Sequence, residues 1–343
     1  MNGGTMDNNK PTTVPIPKEK IPTTSTLAPA NYNWRRVLGV YRDSEKADGP
    51  LLITMGGIHG NEPAGILALE KVFRQLEKYQ PRFKGTFIGV SGNVSALRAN
   101  KRFIDTDLNR QWHNKRANYV MNTPTHQLET VEDQEQKALL LLFGQHKKRF
   151  KKDYTNRNMM LLDLHTFSAA KGGAYSIATS VGKSLHWASQ LSVPTITGME
   201  NVIQGTTMHF FNDMEMVSFC FEAGQHNDPV SVERMEAAIW LTLRNIGCIR
   251  SEDVPNLAEH EACLYNIGKN LPKIVEFLYR HGVEPSDNFK MKPGYTNFMR
   301  VSKGEVLASD RQGDIKCPYD GMILMPLYQP QGEDGFFIVK PIA

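Results

Sequence analysis

Continuous apolar runs separated by helical patterns dominate the chain from about residue 34 onward. A short apolar run that ends in glycine or polar residues is typical of a strand buried on both faces of a sheet, and apolar residues three and four apart indicate helices. The predicted strands are residues 51–55, 86–90, 159–164, 175–179, 193–197 and 217–221. The predicted helices are residues 64–79, 123–150, 230–245 and 257–281.

This alternation predicts an α/β fold, with a mostly parallel or mixed doubly wound sheet and helices on both of its faces. Residues 1–33 are rich in Thr, Pro, Asn and Lys and poor in large apolar side chains, so we expect a disordered or extended arm. After a Lys-Pro-Gly segment at 292–294 the pattern changes to short strands divided by Gly, Pro and Asp, which predicts a small all-β domain. We therefore predict a main domain at 34–288 and a β-domain at 289–343.

The composition argues against several classes of partner. The net charge is only +4, from 40 Lys and Arg against 36 Asp and Glu, so no strong positive charge favours nucleic acid. The four cysteines lie far apart without a C-x-x-C pair, which favours reduced thiols over a disulfide framework. No apolar run approaches the roughly 18 residues of a membrane span, and the N-terminus lacks a hydrophobic signal region. We expect a soluble cytoplasmic protein that binds neither nucleic acid nor membranes.

The segment 55–63, which ends the first predicted strand, presents His59 and Glu62 at the turn into a helix. In an open α/β sheet, ligands bind at such turns, beyond the carboxyl ends of the strands. An imidazole and a carboxylate three residues apart can face one point there and bind a metal ion. A single His-x-x-Glu pair arises easily by chance and is more often a surface pair, so this hypothesis needs support from elsewhere in the chain.

That support comes from His165, which ends the apolar strand predicted at 159–164. Two imidazoles and one carboxylate, with an open position for water, form the ligand set of many catalytic zinc sites. Because side chains alternate along a strand, Asp163 lies on the same side as His165 and could orient its ring. Considered alone, His165 would more simply be a core histidine that is bonded to a backbone carbonyl.

Glu222 follows a third buried strand, predicted at 217–221. A glutamate in that position is costly to bury unless it is paired or functional. As a general base beside a metal site it would deprotonate the attacking water and then protonate the leaving nitrogen. The alternative is a buried salt bridge with one of the arginines in the loop around residues 102–110.

That loop contributes Arg102, Asn109 and Arg110. A guanidinium beside a carbonyl under attack stabilises the developing oxyanion. A second guanidinium with an amide donor suits the carboxylate of a substrate, which arginine can bind with two parallel hydrogen bonds. The alternative for Arg110 is a surface ion pair with Asp105 or Asp107.

Four segments in order resemble the signatures of the succinylglutamate desuccinylase/aspartoacylase family, which is related in fold to the zinc carboxypeptidases. They are GIHGNE at 57–62, IDTDLNR at 104–110, DLHT at 163–166 and FEAG at 221–224. The resemblance spans most of residues 50–226, and four ordered segments are far more specific than any one of them.

The resemblance implies one zinc ion per chain, a role for each candidate residue, and a β-domain that covers the rim of the active site. Zinc would be held by His59, Glu62 and His165. Glu222 would act as base and acid, Arg102 would polarise the scissile carbonyl, and Asn109 with Arg110 would hold a substrate carboxylate. One feature departs from the pattern: aspartoacylases carry a further substrate-binding arginine upstream of the catalytic glutamate, and the comparable segment 209–213 has none. This departure argues against N-acetylaspartate as the substrate.

The residues and the resemblance together predict a zinc-dependent hydrolase that cleaves the amide bond of a small N-acylated amino acid or a similar carboxylate-bearing substrate. Carboxypeptidase-like cleavage and ester hydrolysis would use the same groups, so both stay open, as does a homo-oligomeric state. A non-catalytic metal- or ligand-binding homologue is a further alternative, although such a protein would have no use for Glu222. In the β-domain, Lys316 lacks the sequence setting of a biotinyl or lipoyl carrier lysine.

Overall fold

The computed structural model describes residues 12–13, 27–28, 32–42, 49–153, 159–169, 172–180, 182–214, 216–329 and 332–342. The strands in this part of the chain are β1 (Thr12–Thr13), β2 (Val37–Arg42), β3 (Leu51–Gly56), β4 (Thr86–Ser91), β5 (Met159–Phe167), β6 (Tyr175–Ile177), β7 (Thr195–Thr197), β8 (Val217–Gln225), β9 (Ile274–Gly282), β10 (Lys290–Met291), β11 (Arg300–Val301), β12 (Val306–Asp310), β13 (Gly313–Lys316), β14 (Gly321–Leu324) and β15 (Asp334–Pro341). The α-helices are α1 (Ala64–Tyr79), α2 (Val94–Ala99), α3 (Asn114–Asn122), α4 (Val131–Asp153), α5 (Lys183–Ala188), α6 (Thr207–Asp213), α7 (Pro229–Asn245) and α8 (Leu257–Gly268).

Twelve of the strands form one mixed sheet in the order β1-β2-β4-β3-β5-β8-β6-β7-β9-β15-β14-β11. Its centre is parallel, since β3 pairs in parallel with β4 on one side and with β5 on the other, and β5 pairs in parallel with β8. The strand that follows β3 in the chain, β4, therefore lies on one side of β3, and the later strand β5 lies on its other side. Such a reversal opens a crevice at the carboxyl ends of the strands.

Helices cover both faces of the sheet, as the sequence predicts. Neighbouring residues of β3 belong to different apolar clusters. Leu52 packs in a cluster with Leu69 of α1 and Trp240 of α7. Ile53 packs in another, with Leu139 of α4. The predicted α/β architecture is confirmed, and none of the helices described here is both long and apolar enough to cross a bilayer.

Two of the predicted helices have the wrong bounds. The predicted helix at 257–281 ends at Gly268, and β9 occupies its second half. Pro272 lies between them and cannot donate the backbone hydrogen bond that a continuing helix requires. The predicted helix at 123–150 begins only at Val131, where Thr130 Oγ1 accepts a hydrogen bond from the backbone N–H of Asp133 and so caps the first turn.

The C-terminal strands extend the main sheet. β15 pairs antiparallel with β9, and β14 and β11 follow it to the edge. β10, β12 and β13 form a separate three-stranded antiparallel sheet. Leu327 and Phe337 from this region line the cavity that contains the candidate site. The division into domains at 34–288 and 289–343 stays a prediction, and one sheet runs through both parts.

Most of the predicted arm at 1–33 lies outside the described residues. Within it, Thr12 and Thr13 pair antiparallel with the end of β2. Leu27 is buried in the cluster that contains Leu52.

Candidate active site

The turn after β3 places His59 and Glu62 at the centre of the sheet's carboxyl edge. Gly57 adopts a positive φ of 67°, which L side chains rarely tolerate. A Cβ at Gly60 would lie 2.0 Å from the backbone carbon of Ala96, so the turn fits against α2 only with glycine there. The backbone N–H of Glu62 donates to the His59 carbonyl at 3.1 Å, and α1 begins two residues later.

His59, Glu62 and His165 converge on one point, as the sequence predicts for a metal site. Nδ1 of His59 lies 2.8 Å from one oxygen of Glu62, and Nδ1 of His165 lies 3.4 Å from the other. One potential ligand atom from each residue lies within 4.8 Å of the others, and all three side chains are buried. The Thr166 backbone N–H also donates to Glu62 at 2.9 Å and so fixes its carboxylate. β3 and β5 therefore deliver three donors to one place.

A second carboxylate stands behind each imidazole ring. Nε2 of His59 lies 3.2 Å from Asp107, and Nε2 of His165 lies 3.2 Å from Asp163. The Thr207 hydroxyl donates to Asp163 at 2.5 Å. Carboxylates in this position orient metal-bound histidines and increase their basicity. The sequence predicts this role for Asp163, whereas the same role for Asp107 becomes visible only in the structure.

The electrostatics of the cluster favour a charged Glu62 and a protonated His165. Burial alone would raise the pKa of Glu62, but the two imidazoles outweigh it and hold that pKa well below its usual range. Burial alone would lower the pKa of His165, but Asp163 and Glu62 raise it well above the ordinary value. A divalent cation would supply positive charge at the same place.

Glu222 lies beside these three potential metal ligands and is not one of them. In the parallel register of β5 and β8 it is opposite His165. Its Oε2 atom is buried and has no hydrogen-bond partner among the described residues. Burial raises the pKa of Glu222 to about 8. The charge of His165 lowers this pKa, and the negative charge of Glu62 offsets only part of that effect. The alternative interpretation, a buried salt bridge to a loop arginine, is absent from the described part of the chain.

Arg102 is anchored beside the same cluster. Its Nε and Nη2 donate to one oxygen of Asp107 at 3.1 and 2.9 Å, and its Nη1 lies 3.8 Å from Glu62. Burial would lower the pKa of Arg102, but Asp107 and Glu62 raise it, so the guanidinium stays charged. It lines the cavity, where it can face a substrate carbonyl.

Asn109 and Arg110 also line the cavity, although both already have partners. The Asn109 side-chain oxygen accepts from the backbone N–H of Thr207 at 3.0 Å, so its amide group is oriented by α6. Arg110 donates to Asp334 of β15 at 2.9 Å. The ion pair that the sequence suggested for Arg110, with Asp105 or Asp107, is therefore replaced by one with a distant residue.

Several other residues of the site carry no clear signal in the sequence. The Thr166 hydroxyl lies 2.7 Å from Nδ1 of His226, whose Nε2 lies 3.0 Å from Gln329 of the C-terminal region. Cys220 lies close to His165, and burial raises the pKa of its thiol to about 11. Of the site residues that the sequence did not indicate, only Asp107 could have been predicted. It lies in the segment 104–110, and a search for a carboxylate that orients His59 would have found it.

The donor set fits a divalent metal ion such as zinc. Two imidazole nitrogens and one carboxylate, supported by Asp107 and Asp163, match the three-ligand pattern of catalytic zinc sites. The two Nδ1 atoms face Glu62, which makes them the ligand atoms in this arrangement. The buried, unpartnered oxygen of Glu222 stays available for chemistry at the open position.

Known proteins of one family resemble the chain in sequence and in fold. Residues 48–245 match the model of the succinylglutamate desuccinylase/aspartoacylase catalytic domain. The chain belongs to this family. The matched range contains all seven residues that the sequence assigns to the site, and the family is one of hydrolases that act as deacylases.

Relatives of the same family match most of the chain. The succinylglutamate desuccinylase of Pseudomonas putida is 26% identical over 282 residues, which cover 78% of this chain and 76% of the relative. That of Pseudomonas aeruginosa is 25% identical over 312 residues, which cover 87% and 85%.

Solved structures of the family share the fold. A succinylglutamate desuccinylase/aspartoacylase from Rhodobacter sphaeroides superposes with a TM-score of 0.60 at 14% identity, covering 89% of this chain and 88% of the other. The succinylglutamate desuccinylase of Chromobacterium violaceum gives 0.58 at 16% identity and covers 89% of each chain.

Proposed function

We propose that this family member is a zinc-dependent hydrolase that cleaves the amide bond of a small, carboxylate-bearing N-acylated amino acid. The observation that carries the proposal is the position of Glu222. It is a buried carboxylate with an unpartnered oxygen. It lies opposite His165 in the sheet, next to the three potential metal ligands. A protein that only binds metal would need the three ligands but not this fourth, unligated acid.

His59, Glu62 and His165 would hold the zinc ion, and Asp107 and Asp163 would keep the two rings in their binding orientation. A zinc ion in such a site supplies Lewis acidity that polarises a carbonyl and makes water acidic near neutral pH. The relatives named succinylglutamate desuccinylase support an amide as the bond that is cleaved.

Glu222 would act first as the general base and then as the general acid. Its carboxylate takes a proton from the water that attacks the carbonyl carbon, and the same carboxyl group returns it to the leaving nitrogen. The buried position of Glu222 would help the group to keep the proton between these two steps. The side chain lines the cavity and is held in a central strand, so its position is fixed before substrate binds.

The two loop arginines would have different roles, one at the scissile carbonyl and one at the substrate carboxylate. Arg102 stays charged and, from its anchor on Asp107, would stabilise the oxyanion that forms at the scissile carbonyl. Arg110 and Asn109 would bind the substrate carboxylate, which competes with Asp334 for the guanidinium of Arg110.

A substrate panel on the zinc-loaded protein tests the proposal. N-acyl amino acids, short peptides with a free C-terminus and carboxylate-bearing esters are compared at equal concentration. We expect kcat/KM to be highest for the N-acyl amino acids, and activity to disappear with a chelator and return with zinc. Preferential cleavage of peptides would support the carboxypeptidase-like alternative instead, and preferential cleavage of esters would support the esterase alternative. No cleavage of any compound would favour the non-catalytic homologue.

A further inference from the structure

Part of the wall of the cavity that contains His59, Glu62 and His165 is apolar. Ile177, Met199, Met208 and Phe337 form this wall. Glu200 and His209 line the same cavity. A substrate that reaches into this part of the cavity therefore meets aliphatic surface together with two polar side chains.

The positive charges of the cavity are already engaged by carboxylates. Arg102 donates twice to Asp107, and Arg110 donates to Asp334, with Glu333 4.0 Å away. These two are the arginines among the described lining residues, and no lysine lines the cavity in the same part of the chain. One substrate carboxylate can be bound by displacing Asp334 from Arg110, but a second has no comparable partner.

Glu200 and His209 both offer hydrogen-bond acceptors. Glu200 accepts from the backbone N–H of Ser180 through one oxygen, and its other oxygen is buried without a partner among the described residues. Burial alone would raise the pKa of Glu200, but its hydrogen bonds to Ser180 lower it, so the group is charged. The ring of His209 donates to the Ile203 carbonyl, while its Nε2 is buried and unpartnered in the same sense.

Burial lowers the pKa of the His209 ring more than the charges of Glu200 and Asp213 raise it, so the ring is neutral near neutral pH. A neutral imidazole that donates through one nitrogen accepts through the other. The two unsatisfied atoms, Oε2 of Glu200 and Nε2 of His209, therefore both need a donor.

We propose, on the basis of the deacylase function above, that one arm of the substrate ends in a hydrogen-bond donor, a carboxamide or an amine, which binds Glu200 and His209. An arm that ends in a carboxylate would place a second negative charge beside Glu200, and this repulsion would weaken binding. Succinylglutamate, the compound in the names of the relatives, ends in a carboxylate on both arms. This site selects against it.

Four compounds test the proposal with the zinc-loaded protein: N-succinyl-glutamate, N-succinamoyl-glutamate, N-succinyl-glutamine and N-succinamoyl-glutamine. They differ only by the exchange of a carboxylate for a carboxamide of the same shape on either arm. We expect at least one exchange to raise kcat/KM by about tenfold or more, because it removes the repulsion from Glu200. The exchange that does so identifies the arm that reaches Glu200.

Two variants assign the effect to Glu200. Glu200→Gln should remove most of the kcat/KM preference for the carboxamide compound. Asp213→Asn removes an equal charge that lies near His209 but is exposed, and it should leave the preference unchanged. A preference for N-succinyl-glutamate over the other three compounds overturns the proposal, and so does a carboxamide preference that survives Glu200→Gln intact.

Binding distinguishes failure of this subsite from failure of the deacylase function. Calorimetry with zinc-loaded Glu222→Gln protein measures affinity without turnover. If one of the carboxamide compounds binds about tenfold tighter than N-succinyl-glutamate although the wild type cleaves none of the four, the subsite is supported and the deacylase function is refuted. Equal or tighter binding of N-succinyl-glutamate, or no binding of any of the four, overturns the subsite whether or not the amides are cleaved.

Discussion

The carboxylate of Asp107 lies 3.2 Å from Nε2 of His59, on the far side of the ring from Glu62. Through its other oxygen the same carboxylate accepts two hydrogen bonds from Arg102. Burial would raise the pKa of Asp107, but Arg102 and His59 hold it well below the usual range, so it is a fixed negative charge. One side chain thus positions both a proposed metal ligand and the proposed oxyanion-binding group.

Asp107→Asn should therefore weaken zinc binding by about 10- to 100-fold, because an amide does not enforce the basicity and orientation of His59 as a carboxylate does. Zinc affinity measured by competition with a chelator checks this. Asp105→Asn is the matched control, since Asp105 lies in the same loop but caps the start of α4 by accepting from the backbone N–H of Val131. Equal zinc affinity in the two variants would show that Asp107 does not support the metal site.

Glu222→Gln should retain zinc while losing about 100- to 10,000-fold in kcat, the usual effect of removing a general acid–base group. The amide keeps the shape of the side chain but cannot exchange a proton near neutral pH. Steady-state kinetics on the best N-acyl amino acid, with zinc content measured on the same sample, checks the prediction. A variant that retained both zinc and near-normal turnover would remove Glu222 from the mechanism.

Arg110→Ala should raise KM for a carboxylate-bearing substrate by about tenfold or more and leave kcat less affected, because a charge-assisted hydrogen bond to the substrate is lost. Arg280→Ala is a suitable comparison, since Arg280 pairs with the same Asp334 but is not among the described residues that line the cavity. We expect its KM to stay near the wild-type value. A KM that rises equally in both variants would mean that the ion pair with Asp334 matters for structure rather than for substrate.

His260 should contribute to the loss of stability in acid. It is buried on α8, and burial lowers the pKa of its ring despite the nearby charge of Glu236. Because the unfolded chain then binds the proton more readily than the folded protein, stability is greatest above the unfolded pKa of about 6.5 and decreases as the pH falls through it. Urea unfolding of chelator-treated protein at pH 7 and pH 5 should show a smaller decrease for His260→Gln than for the wild type.

His126→Gln, at an exposed histidine, should show the same decrease as the wild type. An equal decrease in both variants would show that His260 is not responsible.

The centre of the fold and the convergence of His59, Glu62 and His165 could be predicted because their signals are local. Buried strands of a parallel sheet are continuous apolar runs, and His165 and Glu222 stand out as polar residues at the ends of two such runs. The same local view extended the helix from Leu257 too far, because apolar residues continue past Pro272 at spacings that also suit a strand. Pairing with β15, which lies more than fifty residues away, makes that segment a strand.

The partners of the site residues could not be predicted because they are distant in sequence. Arg110 meets Asp334 across 224 positions, and Thr207 reaches Asp163 across 44. Such contacts depend on how the strands are ordered in the sheet, which no local pattern encodes. The resemblance to the family supplied the roles of Arg102 and Asn109, while the acceptor pair of Glu200 and His209 required the cavity itself.

Zinc content tests the central claim most directly. Purified protein that is loaded with zinc and freed of excess metal should contain about one equivalent per chain by mass spectrometry. His59→Ala and His165→Ala should each lose nearly all of it while remaining folded by circular dichroism. His186→Ala, at an exposed histidine that is not among the described residues lining the cavity, should retain it. A full equivalent of zinc in both His59→Ala and His165→Ala would contradict the account.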